Sequence, residues 1–417
     1  MRSQADIAEE ASRQSKREEQ AKAARVQAAC EQKYGATCDK PRSYSLLLPG
    51  QIQHTCAVCR IVSHGSRYCE VLLKRPDWQL RPCQKWFEDD EHNQYYCPQG
   101  NVLVDFCDEM HFSRIAMYLK GRQCLENKTL LALLAQDLMP ETFHILNKQW
   151  VDGRCPMHNE VDALPWFVKE ADRNEGTFVE CSQLASGCMD LVSSGGAYVV
   201  QHHVRDALTY ESRKFHIRLH VLIMCMEDGK TWTVFTYKDG YLNISPVQWD
   251  PGDISRDTQV VIYRSRRIGD WAPWADVYPK CKASVAEVIE RAVAQGKLQG
   301  RLGKKQFELA SCDYMVDTHG RVWLLEINMG PVLRDSLSDP ELNDDVMIES
   351  AFDIIVPWED PIDTRLWDFA CEIVGEAPLP ATSTDIASAP ELPATNMEEL
   401  INDTAVDAIM EFLEGVA

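Results

Sequence analysis

The stretch that decides the fold is 311-SCDYMVDTHGRVWLLEIN-328, in which two segments of β-forming residues flank the turn sequence DTHG. This pattern predicts a β-hairpin. If the hairpin closes at this turn, Asp313 lies opposite Leu324. The same register puts Glu326 and Asn328 on the face of the sheet that carries Asp313 and Leu324.

Two carboxylates and an amide on one face of an apolar strand are costly in a half-buried site. A hard divalent cation removes that cost, because Mg²⁺ prefers oxygen ligands. We therefore predict a magnesium site formed by Asp313, Glu326 and Asn328. The alternative is an exposed polar stripe. It is less favoured because Trp323 and Ile327 would lie on the opposite face.

The segment 213-RKFHIRLHVLIM-224 keeps a strict two-residue period, which predicts a β-strand. One face is apolar, and the other carries Lys214, His216, Arg218 and His220. Cations opposite a metal ion are what a triphosphate and a developing phosphoryl transition state require. Lys214 and Arg218 are therefore the predicted catalytic residues, and Lys214 is also a predicted ligand of the nucleotide.

Two further predicted strands each carry a polar side chain that suits a nucleotide. Lys169 in 164-LPWFVKEA-171 precedes a loop and suits the α- and β-phosphates of ATP. Gln201 in 195-GGAYVVQHHV-204 suits the edge of adenine, because an amide both donates and accepts hydrogen bonds. No phosphate-binding P-loop or protein-kinase motif is present. Metal ligands and lysines on antiparallel strands favour an ATP-grasp arrangement of the α/β (α+β) class.

Three other segments have readable patterns. The sequence 128-KTLLALLAQDLMP-140 predicts a helix that ends at its proline, followed by a strand. The sequence 284-SVAEVIERAVAQGKL-298 predicts a helix whose N-cap is Ser284, in a capping box. The segment 231-TWTVFTYKDGYLNI-244 predicts an antiparallel partner strand with a Lys-Asp-Gly turn.

Composition changes along the chain predict five segments. They are a charged helical extension (1–38), a cysteine-rich N-terminal domain (39–115), a central ATP-grasp subdomain (116–200), a C-terminal ATP-grasp subdomain (201–362) and a flexible acidic tail with a terminal helix (363–417). The pair Cys56 and Cys59 has zinc-ligand spacing, but a structural zinc site usually has a second pair of this kind. A zinc site is therefore the less favoured interpretation.

Charge and hydropathy exclude several classes of function. The net charge is −21, which argues against a nucleic-acid partner, because such proteins need a basic surface. No apolar run approaches the roughly 18 residues that span a bilayer, so we expect no membrane partner. The N-terminus lacks the apolar core of a secretory signal, and a cytoplasmic location follows. We expect a monomer.

Five motifs, in order, resemble the tubulin–tyrosine ligase-like family. They are WFVKE, YVVQ, RKFHIR, FELASCDYMVD and WLLEIN, spread over residues 110 to 335. The resemblance implies an ATP-grasp fold and ATP-dependent addition of tyrosine, glutamate or glycine to a protein. The usual acceptor is the acidic C-terminal tail of tubulin, so tubulin or another protein with an acidic tail is the expected partner. A free amino acid is the second substrate, and association with microtubules follows.

By position, the resemblance assigns roles to the residues selected above and adds Lys128 near the nucleotide. His216 and Asn243 occupy the positions beside the incoming amino acid, where the family pattern has an aspartate and an arginine. Glu170 stands in place of a proline. These departures leave open a second function, a catalytically impaired relative that acts as a microtubule or protein binding module. A ligase for a small metabolite is a third.

Overall fold

A computed structural model gives the structure of the protein. It describes residues 54–59, 68, 71–72, 78–83, 102–105, 115–117, 119–151, 156, 164–171, 179–250, 252–259, 264–269, 271–331, 333, 344–357 and 364–376. The predicted N-terminal helical extension and the predicted terminal helix lie outside these residues. The side chains of Cys56 and Cys59 are also outside the described part, so the zinc-ligand spacing of this pair stays a prediction.

Within the described residues, sixteen strands form two sheets. In chain order they are β1 (His54–Cys59), β2 (Trp78–Cys83), β3 (Val102–Asp105), β4 (Ile115–Met117), β5 (Thr142–Leu146), β6 (Gln149–Trp150), β7 (Trp166–Glu170), β8 (Val179–Ser182), β9 (Ala197–His202), β10 (Thr209–Tyr210), β11 (Arg213–Cys225), β12 (Thr231–Ile244), β13 (Arg264–Arg267), β14 (Lys305–Val316), β15 (Val322–Met329) and β16 (Trp367–Val374).

Five α-helices are described with them. They are α1 (Gln123–Glu126), α2 (Lys128–Leu134), α3 (Arg256–Gln259), α4 (Trp274–Ala294) and α5 (Asp345–Ile355), and a 3-10 helix spans Ala185–Asp190. Within the described residues, no helix is both long and apolar enough to cross a membrane. The combination of mixed sheets and separate helices confirms the α+β class.

The larger sheet has eleven strands. Its main path runs β13-β12-β11-β14-β4-β3-β1-β2. Beside this path, β10 pairs with β11, β15 pairs with β14 and β16 pairs with β12. Strands β11 to β15 pair antiparallel, whereas β4 joins β14 in parallel and continues into the parallel strands β3, β1 and β2. The sheet is therefore continuous across the predicted boundary between residues 115 and 116.

The smaller sheet has five antiparallel strands in the order β6-β5-β9-β7-β8. The start of α2 is bonded to the residue that follows β7, because the backbone N–H of Lys128 donates to the carbonyl of Ala171, 3.0 Å away. Asn127 caps the helix, and its Oδ1 accepts from the backbone N–H groups of Thr129 and Leu130 at 3.0 Å each. These bonds place Lys128 beside β7.

The two faces of β11 belong to different surroundings. Phe215, Ile217 and Leu219 lie on the face that packs with α4 in the main hydrophobic core. On the other face, Leu222 and Met224 pack under α5 in a second core. The polar residues nearer the start of β11 share this second face but precede the part that α5 covers. Alternation along one strand thus gives a core on one side and a polar floor on the other.

Several predicted elements are confirmed. Strands β7, β9 and β11 match their predicted segments, β5 follows α2, and β12 pairs antiparallel with β11. Two boundaries were wrong. Helix α2 ends at Leu134, and the N–H of Leu138 bonds to the carbonyl of Ala135 in a turn. Helix α4 begins at Trp274, so Ser284 is a buried interior residue and not an N-cap.

The predicted Lys-Asp-Gly turn was also wrong. Strand β12 continues through Gly240, and the register with β11 shifts there, between Leu219 and Val221. The extra residues are accommodated as a β-bulge instead of a turn. The tail prediction was wrong in its first part, because β16 lies inside segment 363–417 and pairs with β12.

The predicted hairpin of β14 and β15 is confirmed, but its predicted register was wrong. Asp313 pairs with Glu326, and Tyr314 pairs with Leu324, so a bulge leaves Leu325 as the extra residue. One extra residue in a strand shifts the alternation of its side chains, so residues before and after the bulge exchange the faces that a regular strand would give them. Leu324 therefore lies in the main core, and Glu326 remains on the polar face with Asp313.

Candidate active site

The structure brings the predicted site residues together from both sheets. Lys128 begins α2, Lys169 is on β7 and Gln201 on β9, whereas Lys214, His216 and Arg218 are on β11, Asn243 on β12, Asp313 on β14, and Glu326 and Asn328 on β15. Lys128 links the two sheets, because its backbone N–H donates to the carbonyl of Ala171 after β7 and its Nζ lies 3.8 Å from Glu326 Oε2 on β15.

Register aligns one row of side chains across five strands of the larger sheet. Arg267 pairs with Tyr241, and Tyr241 pairs with Arg218. Arg218 pairs in turn with Asp313, and Asp313 with Glu326. Because strands lie about 4.8 Å apart, this row extends over roughly 19 Å. We call these five residues the polar row.

Arg218 and Asp313 form the strongest contact of the polar row. The guanidinium donates from Nε to Oδ1 at 2.9 Å and from Nη2 to Oδ2 at 2.8 Å. Burial by itself would raise the pKa of Asp313, but the charge and hydrogen bonds of Arg218 outweigh it and lower that pKa to about 2. Asp313 is therefore an ionised carboxylate at neutral pH.

The predicted metal ligands are close to one another and to a lysine. The Asn328 amide nitrogen lies 3.1 Å from Glu326 Oε1 and 3.4 Å from Asp313 Oδ2. Glu326 Oε2 lies 3.8 Å from the ammonium of Lys128, whose side chain is buried. Glu326 itself is about one quarter exposed, with a side-chain exposure of 26%. The cluster thus has a buried side and an accessible side.

The donor set fits a hard divalent cation. Two carboxylates and one amide oxygen are the ligand types that Mg²⁺ selects, and rotation of the Asn328 amide would present its oxygen. Asp313 would have to share its oxygens with Arg218. Among the described residues, no group of three or more His, Cys, Asp or Glu side chains is arranged to hold a metal ion.

Lys169 and Gln201 are hydrogen-bonded neighbours in the smaller sheet. Lys169 Nζ donates to Gln201 Oε1 at 2.8 Å, and Gln201 Nε2 donates to Thr142 Oγ1 at 3.1 Å. Burial lowers the pKa of Lys169 to about 8, although the Glu326 carboxylate acts in the opposite direction. An ammonium held against a neutral amide is ready to accept an anionic ligand.

Lys214 is more deeply buried than Lys169. Its Nζ donates to both the backbone carbonyl and the side-chain Oε1 of Gln259, each at 3.0 Å. The ammonium also lies 4.5 Å from the ring centre of Phe167 and 5.5 Å from that of Trp249. Burial lowers its pKa to about 7. Binding of a phosphate would reverse that shift, because an anion favours the charged form.

His216 and Asn243 contact each other. Asn243 Nδ2 lies 2.8 Å from His216 Nε2, so the amide donates and that ring nitrogen accepts. The Ser265 hydroxyl donates to Asn243 Oδ1. Burial lowers the pKa of His216, although Asp313, 3.9 Å away, acts in the opposite direction. The two positions of the predicted amino-acid subsite are thus occupied by a neutral, hydrogen-bonded group.

Sequence reasoning missed several residues of this site. Gln259 and Trp249 come from a segment without regular periodicity, which gave no signal for placing them. Tyr241 follows the bulge in β12, and Arg267 is on a four-residue strand, so the sequence did not indicate the register of either residue. Asp344, which accepts from the Tyr241 hydroxyl, precedes α5, a helix that the sequence pattern did not indicate.

The family model for the tubulin-tyrosine ligase family matches residues 111–263 and 262–363. The two matches cover more than half of the chain and contain every predicted site residue. The chain belongs to the tubulin-tyrosine ligase family. The resemblance drawn from the five motifs is thereby confirmed.

Curated members of the family match over shorter regions. Human protein monoglycylase TTLL8 is 25% identical over 215 residues, which cover 42% of this chain and 24% of that protein. The probable alpha-tubulin polyglutamylase Ttll1 of Tetrahymena thermophila is 23% identical over 261 residues, 54% of this chain and 62% of that protein. The tubulin monoglycylase TTLL3 of Danio rerio is 24% identical over 217 residues, 44% and 28% of the two chains.

The matched part thus spans about a quarter to three fifths of the length of these relatives. Two of the three names describe an enzyme that modifies tubulin, one by glycylation and one by glutamylation. Membership of the tubulin-tyrosine ligase family is therefore established for this chain, whereas its own substrates are a separate question.

Proposed function

We propose that the protein is an ATP- and Mg²⁺-dependent ligase that adds an amino acid to a protein acceptor through an acyl phosphate. The acceptor we favour is an acidic tail such as the C-terminal tail of tubulin, in the cytoplasm and at microtubules. One observation carries the proposal. Three lysines lie near one another on the side of Glu326: Lys128 Nζ is 3.8 Å from the Glu326 carboxylate, the charges of Glu326 and Asp313 act on Lys169, and the charge of Lys169 acts on Lys214.

The lysines suit a triphosphate. Lys214 is buried and Lys169 is half-buried. Both donate to neutral oxygens, and phosphate oxygens in their place would add charge pairing. Gln201 suits the edge of adenine through its amide. Asp313, Glu326 and Asn328 would hold Mg²⁺, which supplies charge neutralisation of the phosphates when bound.

The chemistry proposed for the site has two steps. A carboxylate oxygen of the acceptor bonds to the γ-phosphorus while the bond from that phosphorus to ADP breaks, which gives an acyl phosphate. The amine of the incoming amino acid then bonds to the acyl carbon, gives up a proton, and phosphate leaves. In this proposal the Arg218 guanidinium would stabilise negative charge on the tetrahedral oxygen, and the Lys214 ammonium would stabilise the transferred phosphoryl group.

Mass spectrometry tests the proposal. Tubulin and extract proteins are incubated with the protein, ATP, Mg²⁺ and each amino acid in turn, beside a Glu326→Gln variant. We expect a mass increase of one or more amino-acid residues with the native protein and none with the variant. A native protein that binds ATP–Mg²⁺ yet modifies no acceptor with any amino acid would overturn the proposal.

A second function, a binding module without catalysis, is favoured by the neutral pair of His216 and Asn243. A free amino acid carries charges at both ends, and this pair offers neither a carboxylate nor an arginine. If this function is correct, restoring aspartate with His216→Asp produces no ligation. Cosedimentation with microtubules would then be the same for the native protein and the variant.

A further inference from the structure

A second line of polar side chains crosses the larger sheet beside the polar row. His220 on β11 pairs with Ser311 on β14, and Ser311 pairs with Asn328 on β15. Each of the three lies two positions along its strand from a member of the polar row, so all three are on the polar face. We call His220, Ser311 and Asn328 the second row.

Two members of the second row are buried without hydrogen-bond partners. His220 and Ser311 both have 0% exposure. Among the described residues, neither ring nitrogen of His220 has a partner, and the Ser311 hydroxyl has none either. Buried polar groups are normally paired, because leaving them unpaired is costly. Two such groups on facing positions, next to a proposed metal ligand, indicate a role in what that ligand does.

The Asn328 amide can take two orientations. In the structure its Nδ2 faces Glu326 Oε1 at 3.1 Å and Asp313 Oδ2 at 3.4 Å. A cation held by the same two carboxylates requires the amide oxygen on that side, because Mg²⁺ takes oxygen ligands. Rotation of the amide turns Nδ2 away from the carboxylates, where it needs an acceptor. Ser311 is the residue directly opposite, and the Cβ atoms of such a pair are about 5 Å apart.

Asp344 sets the direction of hydrogen bonds along the second row. Its carboxylate is fully buried, accepts from the Tyr241 hydroxyl and lies 3.9 Å from His220 Nε2. Burial lowers the pKa of His220 to about 4, so the ring is neutral at neutral pH and carries one proton. The nearby carboxylate favours that proton on Nε2, which leaves Nδ1 as an acceptor. After rotation about its χ1, the Ser311 hydroxyl can donate to Nδ1 and accept from Asn328.

We infer that Ser311 and His220 are positioning residues that turn the oxygen of the Asn328 amide to the cation. The inference rests on the proposed Mg²⁺ site and deepens it. Asn328 Nδ2 donates to Ser311 Oγ, and the Ser311 hydroxyl donates to His220. The last donor, His220 Nε2, faces Asp344, and a carboxylate can only accept. The chain therefore runs in one direction, with the amide nitrogen at Ser311 and the amide oxygen at the cation. An outer partner of this kind raises metal affinity by holding a ligand in its binding orientation.

Titration with Mn²⁺, followed by the electron paramagnetic resonance of the free ion, tests the inference without relying on activity. The full chain is saturated with a non-hydrolysable ATP analogue. Ser311→Ala is expected to raise the Kd for Mn²⁺ roughly ten- to hundredfold, the range that loss of an outer partner gives. Without metal, the urea midpoint of this variant should be unchanged or higher, because an unpaired buried hydroxyl has been removed.

Thr233→Val is the matched control. It removes another buried hydroxyl that has no partner among the described residues. Thr233 pairs with Met224, which packs under α5, so it lies away from the proposed ligands. The Kd for Mn²⁺ should not change in this variant.

Asn328→Asp separates the orientation of the amide from a structural effect of Ser311. A carboxylate presents oxygen in both orientations, so Ser311→Ala in this background should change the Kd for Mn²⁺ by no more than about twofold. His220→Phe should raise the Kd as Ser311→Ala does, and the double variant should be no weaker than the weaker single variant, because both residues act through one chain. If His220→Phe fails to fold, the Ser311 variants decide by themselves.

The outcomes distinguish the inference from the proposed function. An unchanged Kd in Ser311→Ala, beside a raised Kd in Glu326→Gln, overturns the inference while the proposed metal site stands. An effect of Ser311→Ala that persists in full with Asn328→Asp also overturns it. A native protein that binds no Mn²⁺ with the ATP analogue overturns the proposed function and the inference with it.

Discussion

Arg218 and Asp313 join the neighbouring strands β11 and β14 through two parallel hydrogen bonds of 2.9 and 2.8 Å. The same carboxylate is a proposed metal ligand. Arg218 therefore has two effects that can be separated by measurement, because it neutralises Asp313 in the fold and limits the oxygens that Asp313 offers to a cation.

Arg218→Gln is expected to lower the free energy of unfolding by about 3 kcal/mol at pH 7. Removal of one partner of a buried pair costs about 3–5 kcal/mol, and the one-quarter exposure of Arg218 puts the loss at the lower end. Urea unfolding measures this change. The double variant Arg218→Met with Asp313→Leu should recover most of the stability, because no buried charge is left alone, and should have no activity.

The pH dependence of this loss gives a second readout. In the native protein the pKa of Asp313 is about 2, below its ordinary value of 3.8, so its stabilising effect is present above pH 4 and is lost as the pH falls through 2. Without Arg218, burial raises that pKa. The variant should therefore gain stability relative to the native protein between pH 7 and pH 4. A difference that is constant with pH would contradict the assigned contact.

ATP binding is expected to take up a proton at Lys214 at pH 8. Because its pKa is about 7, Lys214 is mostly the neutral amine at pH 8 before ATP binds. Contact with a phosphate raises the pKa of Lys214 again, since the anion favours the charged form. Calorimetry in two buffers of different ionisation enthalpy measures the uptake. Lys214→Met should reduce it by about one proton at pH 8 and leave it unchanged at pH 6, where the native lysine is already charged. Equal uptake in both proteins at pH 8 would refute the assignment.

Glu326→Gln is expected to raise the Mg²⁺ concentration that half-saturates thermal stabilisation by ATP. The side chain is partly exposed, so the fold itself should lose no more than about 1 kcal/mol. Asn328→Asp is the converse variant. It adds a third carboxylate beside Asp313 and Glu326, so it should destabilise the protein without metal and lower the Mg²⁺ requirement. Identical Mg²⁺ curves for the three proteins would exclude these residues as ligands.

The sequence was sufficient to predict β11, because polar and apolar residues alternate from Lys214 to Val221 and the polar face is unusual for a buried strand. It was also sufficient to select Asp313, Glu326 and Asn328 as neighbours. It was not sufficient for the register, since the bulge at Leu325 moves Leu324 to the main core and has no marker in the sequence. A single inserted residue changes pairing without changing composition.

The boundaries of the helices were harder to predict than the strands. Pro279 lies inside α4, and a proline in a helical pattern normally marks its start or end. The predicted helix started at the capping box of Ser284, so the ten residues before it were not assigned to the helix. Packing overrides this local preference, because Val277, Cys281 and Val285 are fully or almost fully buried in the main core.

Gly240→Ala is expected to destabilise the protein by about 1–3 kcal/mol through the backbone that carries Arg218. A Cβ at position 240 would lie 2.7 Å from the carbonyl oxygen of Arg218, at the bulge where β12 passes β11. Relief of that contact requires the two strands to separate, which moves Arg218 relative to Asp313. Gly269→Ala is the matched control, because nothing lies within 4 Å of its Cβ. Gly240→Ala should be less stable in urea and less active than Gly269→Ala. Equal stability of the two variants would show that the bulge accommodates the extra methyl group without moving Arg218.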